Sequence, residues 1–522
     1  MKFCIRIYIV LSGVLRSAAQ PIEVEIIINP ASQELKRLEV LNSPYRETNL
    51  SITPDGKFLY FMSARGGLPW SEADYTEFRG QSQYDGDIWF SRKVNGNWMP
   101  PEHLPATINT SNAEDEPNIS PDGNYVVYQS WTDTWEKDGG PYYKASLFGE
   151  VWTKPEGISG GINQFFKIEF RKYSGYATDG ATLSPDGNHF MVALAPNYDD
   201  SMDIYQSVKN KEDIWTYLKK TNISTAGDER SLFIAGDNKT LYFASDGYMG
   251  FGGLDIFKTT VNDDGSFGKI LNIGEPFNSE SDDYGFIVTA SGREAYFVRD
   301  GDIHYADLTT ANDLIKPLPT IVISGLVQDI YGYPIESVIQ LKKSGTNKVK
   351  ARARSNSVTG SYSLSFFKES GQYRQEITAK GHKPVINDFD LDEKSGYEEI
   401  TFNANLVEKD MILIHFDFDE IIIIPEYQQI LDSLVNTIFE NRRQRLLISG
   451  HSDEKGTEQY NLSLSQNRVE AVQNFIREKG IPDRIMKIDY FGESRPKAPP
   501  NAINKDALNR RVEIKILRPK KR

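Results

Sequence analysis

The stretch "SPDGNYVVYQS" (120–130) decides the fold, because variants of it recur along the N-terminal part of the chain. Pro121 sets φ at the second position of a turn, Gly123 takes the left-handed position, and a strand of alternating apolar residues follows. The other copies are "TPDGKFLYFMS" (53–63), "SPDGNHFMVAL" (184–194), "AGDNKTLYFAS" (235–245) and "ASGREAYFVRD" (290–300). The repeat therefore predicts five copies of one β-structured unit.

A second motif follows each turn and strengthens this prediction. Its copies are "DIWFS" from Asp87, "EVWTK" from Glu150, "DIYQS" from Asp203, "DIFKT" from Asp255 and "DIHYA" from Asp302. Units of this size cannot bury their own faces, so radial stacking into a β-propeller of five or six blades is predicted over 20–315. A sixth blade requires "PIEVEIIINP" (21–30) to pair with the last unit. The two motifs resemble the repeats of TolB-type periplasmic propellers.

Composition and charge indicate several modules. The chain has 522 residues, of which 39% are hydrophobic and 25% charged, as in folded multidomain proteins. Its net charge of −14 argues against a general nucleic-acid binder, because phosphate contacts need a basic face. Residues 411–522 contain 19 Lys and Arg against 16 Asp and Glu, a net charge of +3, so the preceding part carries −17. This asymmetry predicts separate modules.

The N-terminus has the layout of a secretory signal. An apolar stretch, 7–15, follows basic residues and precedes small ones, so cleavage is expected after Ala19 and 1–19 is predicted to be a signal peptide. The single cysteine, Cys4, precedes the apolar stretch, whereas a lipid anchor needs a cysteine after it. Neither an anchor nor a disulfide is expected. No later transmembrane segment is predicted, and "IIII" (421–424) is interpreted as a core run.

After a proline-rich linker, "KPLPT" (316–320), the pattern changes. Short alternating strands, about seven of them, predict a small β-sandwich over 321–408. The segment resembles the carboxypeptidase regulatory-like domain in "SGLVQDIYGYPI", "TGSYSLSF" and "ITAKGHKP". That domain is an accessory module, so the resemblance implies no peptidase activity.

The C-terminal part alternates strands and helices. "MILIHFDFD" (411–419) predicts a strand, "PEYQQILDSLVNTIFENRR" (425–443) a helix and "RLLISGH" (445–451) a strand. "SLSQNRVEAVQNFIREKG" predicts a second helix that stops at Gly480, and "RIMKIDYFGE" and "RRVEIKIL" predict two more strands. An α/β module over 411–518 follows.

This module resembles the OmpA-like peptidoglycan-binding domain of OmpA, Pal and MotB. The motifs "IHFDFD", "ISGHSDEKGTEQYNLSLSQNRVEAV", "GIPDRI", "YFGESRP" and "NRRVEI" occur in family order over 411–517. In that family an aspartate of the "HSD" turn and an arginine of the following helix bind the diaminopimelate of the stem peptide. The resemblance assigns these roles to Asp453 and Arg468, and adds Asn461 and Asp419 as further peptidoglycan contacts.

The residue types fit that ligand. Diaminopimelate carries an ammonium and a carboxylate on one carbon, which the Asp453 carboxylate and the planar Arg468 guanidinium would bind. The first turn of the helix Ser465–Gly480 would add backbone N–H groups for an anion. In the alternative interpretation, Asp453 only braces the turn before Gly456, and Arg468 is a solvated or paired surface residue.

The neighbours of these residues are expected to have structural roles. His451 is expected to be buried and hydrogen-bonded, and Arg510 and Arg511 to brace the fold. No catalytic site, metal site or cofactor is predicted, because the six histidines lack metal-ligand spacing and no nucleophile or phosphate motif occurs. Acidic segments such as "SESDD" (279–283) are interpreted as solvated turns.

These observations predict a multidomain, mainly β, non-enzymatic protein of the periplasm that binds peptidoglycan and lies near the outer membrane. The order of modules resembles multi-module OmpA-family proteins of Bacteroidetes-type bacteria, including PorE-like ones, which implies envelope partners such as type IX secretion components. One alternative is a propeller-based glycan-binding or hydrolytic protein tethered to the wall. Another is a structural adaptor in a Tol–Pal-like system.

Overall fold

The computed structural model describes residues 20–30, 34–65, 75–78, 81–84, 86–173, 176–196, 200–346, 349–392, 396–441, 443–498 and 504–517. The predicted signal peptide lies outside them. The chain divides into two compact units. One contains Met1–Ser120, Val126–Ala145 and Lys154–Thr320, and the other contains Pro121–Tyr125, Ser146–Thr153 and Ile321–Arg522.

The described residues of the chain up to residue 307 form short strands and two helices. The strands are β1 Glu25–Ile26, β2 Leu35–Arg37, β3 Glu47–Ile52, β4 Phe58–Ser63, β5 Tyr75–Phe78, β6 Gln81–Tyr84, β7 Asp87–Val94, β8 Asn97–Trp98, β9 Glu102–His103, β10 Glu114–Ile119, β11 Tyr125–Ser130, β12 Tyr142–Phe148, β13 Val151–Trp152, β14 Glu156–Gly157, β15 Ala177–Leu183, β16 His189–Ala195, β17 Asp203–Val208, β18 Lys219–Lys220, β19 Glu229–Ile234, β20 Thr240–Ser245, β21 Asp255–Thr260, β22 Leu271–Asn272, β23 Asp283–Val288, β24 Glu294–Arg299 and β25 Asp302–Asp307. The helices are α1 Trp135–Asp138 and α2 Gly160–Phe170.

Five sheets of four or five strands follow one another, and each predicted turn joins the first and second strand of a sheet. Their strand orders are β3-β4-β7-β8 with β9 on β7, β10-β11-β12-β13 with β14 on β12, β15-β16-β17-β18, β19-β20-β21-β22-β1, and β23-β24-β25-β2. The alternative of a sixth blade, in which 21–30 pairs with the last unit, is wrong. Strand β1 pairs in parallel with β22 of the fourth sheet, and it is β2 that completes the fifth sheet against β25.

The Asp-Ile motif marks the third strand in four of the sheets, β7, β17, β21 and β25. In the second sheet the interpretation of "EVWTK" as the equivalent strand is wrong. Its residues form β13, the fourth strand, and the third strand is β12. The reason lies in the segment before β12, which contains α1 and has no Asp-Ile pair to mark the strand that follows.

The first strands of the five sheets share a bulge. The register shifts within each of β3, β10, β15, β19 and β23. A residue with positive φ lies at each shift, namely Asn49, Glu116, Gly180, Ser231 and Gly285. These strands contact one another in the cyclic order β3, β10, β15, β19, β23 and β3 again. Four of them line a cavity of about 10 Å³, room for one water molecule.

A carboxylate is buried at the start of four of the five first strands: Glu47, Glu114, Glu229 and Asp283 are 0% exposed. Each accepts a hydrogen bond from a hydroxyl four residues earlier, on Ser43, Thr110, Thr225 and Ser279 respectively. Burial raises the pKa of Glu114 and of Glu229 to about 7. The interpretation of 279–283 as a solvated turn is therefore wrong for Asp283, whereas Glu280 and Asp282 are exposed as expected.

The residue before each of these hydroxyls binds the third strand of the preceding sheet. Asn109 Nδ2 donates to the Ile88 carbonyl and its Oδ1 accepts from the Ile88 N–H, both at 3.0 Å. Asn278 repeats this contact with the fourth sheet. Asn42, which precedes the first sheet, makes the same pair with Ile303 of the fifth sheet, at 3.0 and 2.7 Å. The first and last sheets are thus joined by the same contact that joins neighbours.

Residues 320–406 form eight strands, one more than expected. They are β26 Thr320–Asp329, β27 Val338–Lys343, β28 Val349–Arg354, β29 Ser361–Phe367, β30 Gly371–Thr378, β31 Val385–Leu391, β32 Glu398–Thr401 and β33 Ala404–Leu406. One sheet has the order β29-β26-β32 with β33 also on β26, and the other β28-β27-β30-β31. Ile323 and Leu364 of the first sheet share one apolar core with Leu341 and Ile377 of the second.

The C-terminal module is a four-stranded sheet with helices. Its elements are β34 Met411–His415, α3 Pro425–Glu440, β35 Arg445–Gly450, α4 Glu458–Glu478, a 3-10 helix Asp483–Ile485, β36 Met486–Tyr490, α5 Lys505–Asn509 and β37 Arg511–Leu517. The strand order is β34-β37-β35-β36, with only β35 and β36 parallel. Apolar residues of α3 and α4, such as Leu431 and Val472, form one core with Ile448 and Ile514 of the sheet.

Three details of this module differ from prediction. Strand β34 ends at His415 rather than at residue 419. Helix α4 begins at Glu458, because the Thr457 hydroxyl accepts a hydrogen bond from the Tyr460 N–H and caps it. The interpretation of "IIII" as a core run is wrong. Its four side chains, at 421–424, are 42, 68, 8 and 41% exposed, so only the third reaches the core.

Candidate functional site

The site lies where strand β35 ends against helix α4. Gly450, the last residue of the strand, has no room for a side chain, because a Cβ there would lie 2.3 Å from the carbonyl oxygen of Ser465. The close approach places the turn after β35 beside the middle of α4. His451, Ser452 and Asp453 of that turn are buried, each at most 3% exposed.

Asp453 is paired with Arg510, which was expected only to brace the fold. Arg510 Nη1 donates to Asp453 Oδ2 at 2.9 Å, and the two side chains are 15 and 4% exposed. The Lys455 backbone N–H donates to Asp453 Oδ1 at 3.4 Å. Arg510 Nε also donates to the Phe416 carbonyl at 3.1 Å. Arg510 therefore belongs to the site as well as to the fold, and the "NRRV" motif was the signal for it.

Arg468 is 0% exposed, so the alternative of a solvated surface residue is wrong. Its guanidinium donates to three carbonyl oxygens, those of Glu420 at 2.9 Å, Asp417 at 3.1 Å and His451 at 3.2 Å. It lies 5.2 Å from the centre of the Phe416 ring. A guanidinium has five N–H donors, so these contacts leave donor capacity for a ligand.

The charge of Arg468 is balanced by its neighbours. Burial lowers its pKa to about 10, the nearby Asp453 carboxylate opposes that shift, and Arg510 adds to it. Arg468 therefore stays protonated at neutral pH. Asp453 and Arg468 lie close enough to interact electrostatically, as the predicted pocket requires, although the partner that Asp453 contacts directly is Arg510.

Asn461 lies on α4, two helical turns before Arg468. It is 0% exposed, and its Nδ2 donates to Glu493 Oε2. Its Oδ1 has no hydrogen-bond partner among the described residues, and the same holds for the buried Ser452 Oγ. Buried polar atoms without a partner are costly, so these two atoms mark places where a polar ligand or water would bind.

Asp419 lies apart from the buried group. It is exposed, in the loop after β34 rather than at a strand end, and has a left-handed φ of 59°. The Tyr460 hydroxyl donates to Asp419 Oδ1. The Asp419 carboxylate also favours the charged form of Arg468, which places it near the rim of the site.

Two expectations about this region are wrong. His451 is buried, but neither ring nitrogen has a hydrogen-bond partner in the described part of the chain. Burial, assisted by the charge of Arg511, lowers its pKa to about 3, so the ring is neutral. The predicted anion contact at Ser465 also fails, because α4 begins at Glu458 and the Ser465 N–H lies inside the helix.

The described side chains offer donors and acceptors rather than metal ligands. No group of three His, Cys, Asp or Glu side chains within the described ranges is placed to hold a metal ion. The site combines a guanidinium with free donor capacity, a paired carboxylate, and unpartnered amide and hydroxyl oxygens. That set can bind a small ligand that carries both charges.

Comparison with known proteins identifies the family of the C-terminal module. Residues 415–510 match the OmpA family, so the C-terminal module is an OmpA-like domain, and that prediction is confirmed. The chain is 33% identical over 101 residues to a peptidoglycan-associated lipoprotein of Pseudomonas aeruginosa, which is 19% of this chain and 60% of the relative. It is 37% identical over 124 residues to the outer membrane protein A of Bordetella avium, covering 23% and 57%.

Among solved structures, the peptidoglycan-associated lipoprotein from Burkholderia pseudomallei is 31% identical, covering 20% of this chain and 89% of that one, with a TM-score of 0.20. The chain spans about 60% of the length of the curated relatives that it matches. Among the helices that the structure describes, none has the length and apolar character needed to cross a membrane.

Proposed function

We propose that this chain is a non-enzymatic envelope protein that binds peptidoglycan non-covalently through the diaminopimelate of the stem peptide. Relatives of its C-terminal domain are named peptidoglycan-associated lipoproteins, which supports the wall as the ligand. The observation that carries the proposal is the burial of Arg468 at 0% exposure with unused donor capacity, beside the Asp453 carboxylate.

The chemistry of the ligand matches the polar groups of the site. The remaining N–H groups of Arg468 would bind the free carboxylate of diaminopimelate, and Asp453 would share its charge between Arg510 and the ligand ammonium. Asn461 Oδ1 and Ser452 Oγ have no partner in the described structure. Asn461 Oδ1 would accept a hydrogen bond from the ligand, and Ser452 Oγ would accept or donate one. Asp419 would contact the ligand from the rim.

We infer that the five N-terminal sheets form a five-bladed β-propeller. The cyclic contacts of the first strands support this, as does the Asn42–Ile303 contact that repeats the link between neighbouring sheets. The two sheets of 320–406 fit the carboxypeptidase regulatory-like sandwich. In the proposed role both modules bind other envelope proteins in the periplasm, near the outer membrane. Type IX secretion components are partners suggested by the module order alone.

Retention on purified sacculi tests the proposed ligand. The Asp453→Ala and Arg468→Ala variants are expected to lose about ten- to a hundredfold in affinity, the value of one charge-assisted hydrogen bond. Arg477→Ala is the matched control, because Arg477 lies on the same helix but is exposed and pairs with Asp483 at 2.8 Å. Sacculi with lysine in place of diaminopimelate, which lacks the second carboxylate, are expected to retain the wild type poorly.

Because Arg468 also holds three carbonyls, the folding of its variant needs checking. Asp453→Asn, which keeps the size of the side chain, provides a second test. Equal retention of the wild type, both Asp453 variants and the folded Arg468 variant would refute the proposal.

A further inference from the structure

A tyrosine that follows the first strand of the 320–406 sheets lies against the C-terminal domain. Tyr331 is 5% exposed. Its hydroxyl donates to Glu513 Oε1 at 3.3 Å. Its ring centre lies 5.0 Å from Lys497 Nζ and 5.3 Å from Arg511 Cζ, within range of cation–π attraction. Two cations and one carboxylate of the C-terminal domain therefore contact this single side chain.

The turn that presents Tyr331 is well defined. Asp329 Oδ1 accepts hydrogen bonds from the Tyr331 and Tyr333 N–H groups, at 2.8 and 2.9 Å. Gly332 has a φ of 95°, which a residue with a side chain rarely adopts. The side chain of Tyr333, in the same turn, is instead exposed at 49%. The turn thus directs one tyrosine inward and the other outward.

The charged groups around Tyr331 form one cluster. Arg511 Nε donates to Glu513 Oε1 at 2.8 Å, and Lys497 Nζ lies 3.1 Å from the same oxygen. Arg511 is 0% exposed, and its Nη1 and Nη2 also donate to the carbonyls of Asn509 and Arg495, each at the long distance of 3.4 Å. Removing the Tyr331 ring would open the cluster to water and remove one of the constraints on the Arg511 side chain.

The backbone carbonyls of Arg510 and Arg511 support the candidate site. The carbonyl of Arg510 accepts from the Phe416 N–H at 3.0 Å, and that of Arg511 accepts from the His451 N–H at 2.9 Å. These two bonds attach the loop after β34 and the turn after β35 to the start of β37. The side chain of Arg510 then binds Asp453. The position of residues 510–511 therefore sets the position of the two segments that border the site, the loop after β34 and the turn after β35.

We propose that Tyr331 is a positioning residue for the C-terminal site, so that the 320–406 sheets contribute to ligand affinity without contacting the ligand. Tyr331 contacts Arg511 and Glu513. The Arg510 side chain holds Asp453, and the carbonyls of Arg510 and Arg511 hold the loop after β34 and the turn after β35. This inference rests on the proposed function, because its readout is the binding of diaminopimelate.

The test measures the binding of a soluble stem peptide that contains diaminopimelate to the full-length chain. Tyr331→Ala is expected to weaken binding roughly tenfold, and Tyr331→Phe, which keeps the ring over Arg511, only about threefold. Tyr333→Ala is the matched control, since it removes an exposed ring from the same turn, and its affinity is expected to equal that of the wild type. The partial rescue by phenylalanine separates positioning from a general loss of folding.

The outcomes distinguish the inference from the proposed function. A wild type that does not bind the peptide overturns both. A wild type that binds, together with a Tyr331→Ala chain of equal affinity, overturns only the role of Tyr331. If the alanine variant does not fold, Tyr331→Leu decides, because it removes the ring but keeps an apolar side chain, and wild-type affinity in that variant overturns the inference.

Discussion

The Asp453–Arg510 pair makes a quantitative prediction about the C-terminal domain. Asp453 Oδ2 lies 2.9 Å from Arg510 Nη1, and the two side chains are 4 and 15% exposed, so water screens the pair weakly. Replacing Asp453 by Asn keeps the shape but leaves Arg510 without a countercharge. A hydrogen bond to a charged group contributes about 1.5–3 kcal/mol, so the local free energy of unfolding should fall by about that amount. Arg510→Gln should cost about the same.

The double variant separates this pair from its surroundings. If the two side chains act mainly on each other, Asp453→Asn with Arg510→Gln should cost about 1.5–2 kcal/mol less than the sum of the single changes. Hydrogen–deuterium exchange of β35 and β37 in the full-length chain measures the local free energy of unfolding. All seven tryptophans lie before residue 216, so tryptophan fluorescence reports separately on the N-terminal sheets and should not change.

Additivity within about 0.5 kcal/mol would refute the reasoning, because it would mean that the two groups do not interact. A loss of stability in the N-terminal sheets would also contradict it. The same variants bear on ligand binding. Asp453→Asn should weaken peptide binding even where the domain remains folded, since the ligand ammonium then has no carboxylate at that position.

Two further predictions concern other parts of the chain. Because the folded pKa of Glu114, about 7, lies above its ordinary value of 4.5, the folded state holds this proton more tightly than the unfolded state. The contribution of Glu114 to the free energy of unfolding is therefore full below pH 4.5 and is lost as pH rises through 7. In Glu114→Gln the free energy of unfolding should fall less over this pH range, as measured by denaturation followed by tryptophan fluorescence. Ile422→Ser should change the free energy of unfolding by less than about 0.5 kcal/mol, whereas Ile423→Ser, at a position 8% exposed, should cost about 2 kcal/mol or more by hydrogen exchange. Equal costs for the two isoleucine variants would contradict the burial of 421–424 described above.

Local chemistry explains what the sequence predicted correctly. Three of the five turns contain Pro-Asp-Gly, and the other two place Asn238 and Gly292 at the left-handed position. The strands after all five turns alternate in polarity, so five first-to-second strand hairpins follow from residues close in the chain. Helix α3 begins at Pro425, as predicted, for the same reason. Helix α4 was predicted to begin too late, because its first turns are polar and the cap at Thr457 was overlooked.

Long-range pairing explains what was missed. Strands β1 and β2 are two and three residues long, too short to show a period, and their partners lie more than 240 residues away. The four buried carboxylates belong to a motif of a hydroxyl residue followed at the fourth position by an acid. That motif is visible in the sequence, but its acidic residues look solvated until the neighbouring sheet covers them.

The "NRRV" motif marks Arg510, but the contact of Arg510 with Asp453 depends on where β37 begins relative to the turn after β35, which the sequence does not show. The contacts that Asp453 and Arg468 already make also limit how strongly the site can bind peptidoglycan. Asp453 is already paired with Arg510, and Arg468 already holds three carbonyls, so a ligand gains only the bonds that these groups can add. Three charge-assisted hydrogen bonds of about 1.5–3 kcal/mol each sum to about 4.5–9 kcal/mol before the cost of association is subtracted, so the expected affinity is micromolar at best. With such affinity, a single molecule would attach to the cell wall reversibly.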